Sequence, residues 1–152
     1  MFNKQLVADH AQLIRTSIAR LETLATLSWE EFAANPDNFA IAEHHLRRAL
    51  QAVLDLGRHV VVKAGLGNPA NYREIFDLLE SGGVLEPEVV RRVRGMAGYR
   101  NRLVHDYARI EEKEMWDILR NDLGDVRLLL NRLLGYITKE TASDCRSSAT
   151  LS

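Results

Sequence analysis

The chain of 152 residues has the length of one ordinary domain, so a single core carrying one site is expected. Hydrophobic residues at 46% and charged residues at 27% exclude both an intrinsically disordered chain and a membrane-embedded one. A formal net charge of −1 gives no general attraction for nucleic acid, so any basic surface must be local.

The elements follow from the apolar spacing. From Leu6 onward Val7, Ala11, Ile14, Ile18, Leu21 and Ala25 recur at alternating spacings of 4 and 3, which predicts an amphipathic helix to about Leu27. Ser28 with Glu31 reads as a capping box opening a short helix that stops before Asn35-Pro36. Asp37 or Asn38 can cap a second long helix with the face Phe39, Ala42, Leu46, Ala49 or Leu50, Val53, Leu56 and Val60, ending near Gly65 or Gly67. Tyr72, Ile75, Phe76 and Leu79 predict a short helix closed by Ser81-Gly82-Gly83. Another helix opens at Glu86-Pro87-Glu88 and runs through Val89, Val90, Val93 and Met96 toward Val104. The last, from about Glu111, carries Trp116, Leu119, Leu123, Val126, Leu130, Leu133 and Ile137. Only three prolines interrupt the chain. The expected fold is therefore all-α, an up-down bundle of about five helices over residues 1–139, with a flexible polar tail over 140–152.

Cys145 is the single cysteine, which excludes an internal disulfide framework and fits a reducing compartment, so a cytoplasmic location is expected. The N-terminal MFNKQLVADHAQLIRT has neither an apolar signal core nor a run long enough to span a bilayer, and no membrane partner is expected. A ferritin-like metal site needs Glu three residues before His, and none of His10, His44, His45, His59 or His105 has it. Gly65-Leu66-Gly67-Asn68-Pro69 lacks the Lys and Ser/Thr of a phosphate-binding loop and reads as a turn.

The unusual segment is residues 91–109. Arg91, Arg92, Arg94, Arg100, Arg102 and Arg109 stand there against the lone acid Asp106, a local charge of +5, and a polyanion such as RNA could dock on them. The plainer reading is an arginine face that pairs with acids of neighbouring helices. Within this segment Asn101 and His105 lie one helical turn apart on the same face, whereas Arg100 is about 140° around the helix from His105. Arg100 reaches the imidazole only by its length, by a helix break near Tyr107, or across a subunit boundary. A histidine with its ordinary pKa of about 6.5 can give or take a proton at neutral pH, and arginine stabilises negative charge. The combination fits phosphodiester chemistry.

These residues resemble the HepT-like toxins of the HEPN superfamily. The signature of that family is Arg, a polar residue, a short spacer and His, here Arg100-Asn101 and His105, extended to His-x-Tyr as His105-Asp106-Tyr107. The flanks NYREIFDLLESGGVLEPEVVRRVRGMAGYRNRLVHDYARI and MWDILRNDLGDVRLLL are also similar to the family, so the resemblance covers about residues 5–138. It implies a toxin of a toxin-antitoxin system, a metal-independent endoribonuclease that cleaves tRNA or mRNA with no cofactor. It also implies a homodimer whose two motif copies face one cleft. The implied partner is a nucleotidyltransferase antitoxin of the MntA type that transfers AMP to the tyrosine of His-x-Tyr. Residue by residue this assigns catalysis to Arg100 and His105, support to Asn101, and modification to Tyr107. The antitoxin's Asp-x-Asp is absent from this chain, which places it on the toxin side. The alternative function is a non-catalytic helical module that binds nucleic acid or a protein through the arginine patch, with His105 as a structural hydrogen-bonding residue.

Overall fold

Helices form wherever a cap and an apolar seam coincide. The computed structural model describes the backbone of residues 1–106 and 109–151, and their side chains up to residue 144. Helix α1 (Lys4–Ala25) starts behind Asn3, whose side-chain oxygen accepts the Leu6 amide at 3.0 Å, and buries Ala11, Ile14, Ile18 and Leu21. Helix α2 (Trp29–Ala34) opens on the expected capping box, with Ser28 Oγ accepting from the Glu31 amide and Glu31 Oε1 from the Ser28 amide, each at 3.1 Å.

Helix α3 (Pro36–Lys63) corrects one expected boundary. Its N-cap is Asn35 rather than Asp37 or Asn38: the Asn35 side chain accepts the Asp37 amide at 3.0 Å, and Pro36 takes the first helical position, where no N–H is required. Asn35-Pro36 thus ends one helix and begins the next. Helix α4 (Tyr72–Ser81) is capped by Asn71, which accepts the Glu74 amide at 3.0 Å.

The remaining elements are α5 (Pro87–Val93), α6 (Gly95–His105), α7 (Glu112–Asn121) and α8 (Leu123–Leu151). The described residues thus hold eight α-helices and no strand, an all-α bundle as the sequence predicts. The six segments predicted in chain order become eight helices because two continuous apolar patterns are each broken at one residue, Arg94 and Asp122. Glycines follow both breaks, Gly95 and Gly98 after the first and Gly124 after the second. Each weakens a helix interior by about 1 kcal/mol relative to alanine, so tertiary packing can set the direction there. At the other end, the backbone of α8 stays helical to Leu151, past the Lys139 limit of the apolar pattern. No proline or glycine occurs between Tyr136 and Leu151 to stop it, and extending an existing helix is far easier than starting one.

The core sits around α3, which touches α1, α2, α4, α6, α7 and α8. Ile14, Val53, Leu56, Phe76, Leu79, Met115 and Leu133 have no exposed surface, and burying each such side chain contributes about 1.5–3 kcal/mol. Gly57 lets α4 approach α3 closely, since a Cβ there would lie 3.2 Å from Ile75 Cγ2. Trp29 and Trp116 meet edge to face at 6.0 Å, and the Trp116 indole N–H donates to the Leu27 carbonyl at 3.0 Å, tying α7 to the start of α2. No helix among the described residues is long and apolar enough to cross a membrane.

Candidate active site

Arg100, Asn101 and His105 all stand on α6, which is unbroken from Gly95 to His105. It ends where the Asp106 amide donates to the Arg102 carbonyl at 2.8 Å and Asp106 leaves the helical region with φ −134°. The helix end therefore follows His105, and no break separates it from Arg100. On one copy of an unbroken helix the two side chains leave about 140° apart and about 7.5 Å apart along the axis. Asn101 and His105 are exposed on their shared face. Tyr107 lies outside the described residues.

Arg100 is half-buried and lines a groove of about 490 Å³ between α1, α3 and α6, together with Asp9, His10, Arg47, Arg48 and Val104. Val104 ends the expected apolar run yet is 38% exposed, while its neighbour Leu103 takes the core position at 1%. The Arg100 guanidinium is fixed from three sides. Its Nε donates to Gln51 Oε1 at 2.8 Å, its Nη1 donates to Asn101 Oδ1 at 3.1 Å, and its Cζ lies 4.9 Å from the centre of the Tyr72 ring. Two of five N–H donors are thereby used, leaving three for a bound phosphate.

The other arginines of residues 91–109 have a different environment. Arg92 Nε donates to Asp125 of α8 at 2.5 Å, and Arg94 Nη2 to Asp77 of α4 at 2.6 Å. Arg102 grips both carboxylate oxygens of Glu114 on α7 at 2.6 and 3.1 Å, and this bond raises the arginine's pKa further. Arg109 lies 4.0 Å from Asp106, and Arg91 is exposed with no ion pair among the described residues. The arginine face thus pairs largely with acids of other helices, and Arg100 does not. Tyr99 belongs to the Arg102 side, with its ring centre 5.5 Å from Arg102 Cζ, and burial pushes its hydroxyl well above the ordinary pKa, with Glu114 adding to the rise.

Sequence reasoning did not single out Gln51, Asp55 or Tyr72. Gln51 and Asp55 are four apart on α3, a polar pair beside a long apolar face, and Tyr72 reads as one more core position of α4. The one available signal was that pair of polar residues set among the buried Leu50, Val53, Leu54 and Leu56.

Several known proteins are similar to this chain in sequence or in fold. The model of the ribonuclease HepT-like family matches residues 14–133, which include Arg100, Asn101 and His105. The chain is similar to the tRNA nuclease HepT of Aphanizomenon flos-aquae, at 25% identity over 140 residues that span 91% of this chain and 95% of that protein. It is also similar to the mRNA nuclease HepT of Shewanella oneidensis, at 27% identity over 81 residues, 53% of this chain and 61% of that one. In fold it resembles the tri-AMPylated HEPN toxin of Shewanella oneidensis solved in complex with an MNT antitoxin, with a TM-score of 0.76 and 20% identity over 86% of this chain and 97% of that one. It likewise resembles YutE of Bacillus subtilis, a cytosolic protein of unknown function, with a TM-score of 0.78 and 14% identity over 91% and 93% of the two chains. The family match runs from α1 into α8 and takes in the whole arginine–histidine motif, and on that ground the chain belongs to the HepT-like ribonuclease family.

Proposed function

We propose that this chain is the toxin of a toxin-antitoxin pair, a cytoplasmic, metal-independent endoribonuclease that cleaves tRNA or mRNA. The observation that carries the reading is Arg100 itself: a half-buried guanidinium with three unused donors lines a groove, on the same helix as an exposed histidine. In the proposed reaction His105 takes the proton of a ribose 2′-OH or gives one to the departing 5′-oxygen, while Arg100 stabilises the charge gathering on the five-coordinate phosphorus. The 2′-oxygen attacks the phosphorus, the bond to the 5′-oxygen breaks, and a 2′,3′-cyclic phosphate and a 5′-hydroxyl end result. DNA lacks the nucleophile and resists.

Because Arg100 and His105 diverge by about 140° on one unbroken helix, the reading includes a homodimer in which the motif of each copy faces a common cleft. Arg100 of one copy and His105 of the other then act on one phosphate. Exposed Val104, on the groove wall beside Arg100, suits such a pairing. RNA contacts by Arg91, Arg92, Arg94, Arg102 and Arg109 belong to the proposal too, with phosphate competing against the carboxylates that hold Arg92, Arg94 and Arg102. That competition also weakens the rival reading as a binding module, which needs those charges free. The proposed antitoxin is a nucleotidyltransferase of the MntA type that transfers AMP to Tyr107, adding a bulky anion to the basic segment 91–109 that competes with RNA phosphate for Arg100 and Arg102 and silences the enzyme.

Purified protein incubated with tRNA and with mRNA in excess EDTA tests the activity. Cleavage that leaves cyclic phosphate ends and disappears in His105→Ala is expected; cleavage that survives that substitution contradicts the assignment. Intact-mass spectrometry after co-expression with the nucleotidyltransferase should show added AMP units that vanish in Tyr107→Phe.

A further inference from the structure

We infer that Gln51, clamped by Asp55 and Tyr72, is the positioning residue that aims Arg100 at the phosphate without neutralising it. The inference rests on the ribonuclease reading and adds to it a set of residues outside the α6 motif.

The geometry leaves Gln51 one orientation. Its amide nitrogen donates to Asp55 Oδ2 at 2.8 Å and to the Tyr72 hydroxyl at 2.5 Å, so both of its N–H donors are committed. Its carbonyl oxygen is left to accept from Arg100 Nε at 2.8 Å. Turning the amide over would set a donor against the guanidinium and an acceptor against the carboxylate, so the bonds themselves decide the assignment. The Tyr72 hydroxyl, having accepted from Gln51, donates to Asp55 Oδ1 at 3.1 Å. Both carboxylate oxygens, both ends of the amide and the phenol oxygen are thereby engaged, and such a closed network is stiff.

The network also joins three helices. Gln51 and Asp55 stand one turn apart on α3, Tyr72 opens α4 and Arg100 belongs to α6. Tyr72 lends its ring as well as its hydroxyl: Arg100 Cζ and Arg58 Cζ lie 4.9 and 5.3 Å from its centre. The residue type at 51 carries the chemical point. A carboxylate bonded directly to Arg100 would compete with the substrate phosphate, as Glu114 does at Arg102. A neutral amide fixes the same guanidinium and leaves its positive charge for the transition state, and the anion Asp55 acts one residue removed, on Gln51 and Tyr72.

The test uses full-length Gln51→Met, which matches the length and loses the acceptor, and Tyr72→Phe, which keeps the ring and loses the hydroxyl. Two readouts are taken: kcat and KM for RNA cleavage, and the hydrogen-exchange rate of the Arg100 Nε–H by NMR. The inference expects kcat to fall about 10- to 100-fold in Gln51→Met with KM within about threefold. It expects a smaller fall in Tyr72→Phe, and faster Nε–H exchange in both, at unchanged thermal midpoints. A purely structural role predicts lowered midpoints with kcat per folded molecule unchanged, and that result overturns the inference. So does wild-type Nε–H exchange in Gln51→Met. If the wild-type chain cleaves no RNA, the ribonuclease reading falls, and the exchange rates still decide whether Gln51 holds Arg100.

Discussion

Two arginines on α6, Arg100 and Arg102, are separated by one residue and live in opposite electrostatic settings. Arg102 is gripped by both oxygens of Glu114, whereas Arg100 is gripped by a neutral amide and an aromatic ring. Arg92 and Arg94 side with Arg102, each on its own carboxylate. Exposed ion pairs of this kind are worth at most about 1 kcal/mol, and they tie α5 and α6 to α4, α7 and α8. The partner type therefore separates an arginine that binds the fold together from one left with unspent charge, and a count of charges along the sequence cannot make that separation.

Substitutions at the site itself should have the largest effects. Arg100→Ala should lower RNA cleavage about 10³-fold by removing the charge that meets the phosphorane, and His105→Ala by a similar factor through loss of proton transfer. Mixing these two inactive variants should restore activity if Arg100 and His105 act across a two-fold axis. Random exchange gives half hetero-pairs with one intact site each, or about a quarter of the wild-type rate. A mixture as dead as its parents would place both residues of a site in one copy.

Packing beneath the site offers a second break. Gly57→Val adds three carbons where a single Cβ would already lie 3.2 Å from Ile75 Cγ2, and overpacking of this kind costs about 1–3 kcal/mol. The urea midpoint should fall, and since α4 carries Tyr72, cleavage by the folded fraction should fall with it.

The arginine face sharpens the contrast more gently. Glu114→Gln frees Arg102, so in a His105→Ala background the salt dependence of RNA binding should steepen by up to about one unit of slope, with stability changed by less than about 1 kcal/mol. An unchanged slope would mean that Arg102 does not face RNA.

Much of this architecture was legible in the sequence, because apolar residues spaced by three and four have only one solution in water, a helix turned toward a core. The Ser28–Glu31 capping box and the Pro87 start needed nothing beyond local chemistry. The breaks at Arg94 and Asp122 were not legible, since the apolar pattern runs through both and the turn is decided by what the flanking helices meet. The Arg100-Asn101…His105 motif stood out in sequence because its members share one helix. Gln51, Asp55 and Tyr72 did not: Gln51 and Asp55 are a local pair on α3, but the bonds that bring them to Tyr72 and Arg100 span 17 to 49 residues, and no local pattern announces that meeting.

The smallest expected effect concerns pH. Burial lowers the pKa of His45 and of His59 below the ordinary 6.5, with neighbouring cations adding to each shift, and His59 Nε2 accepts the Asn3 amide at 3.1 Å, which requires a neutral ring. The unfolded chain then binds more protons than the folded one in the window just below 6.5. Stability is full above that window and declines as pH falls through it. The thermal midpoint should drop between about pH 7 and pH 5.5, and His59→Gln, which keeps an acceptor and cannot titrate, should flatten the decline.

Initial rates of RNA cleavage in EDTA for three proteins, wild type, Arg100→Ala, and the triple variant Arg92→Ala, Arg94→Ala, Arg102→Ala, decide which charge does the work. Activity lost in Arg100→Ala and kept within about tenfold in the triple variant, with the loss appearing in KM, is the predicted result. Activity that survives in Arg100→Ala and vanishes in the triple variant would contradict it, and would move the working charge from the groove to the arginine face.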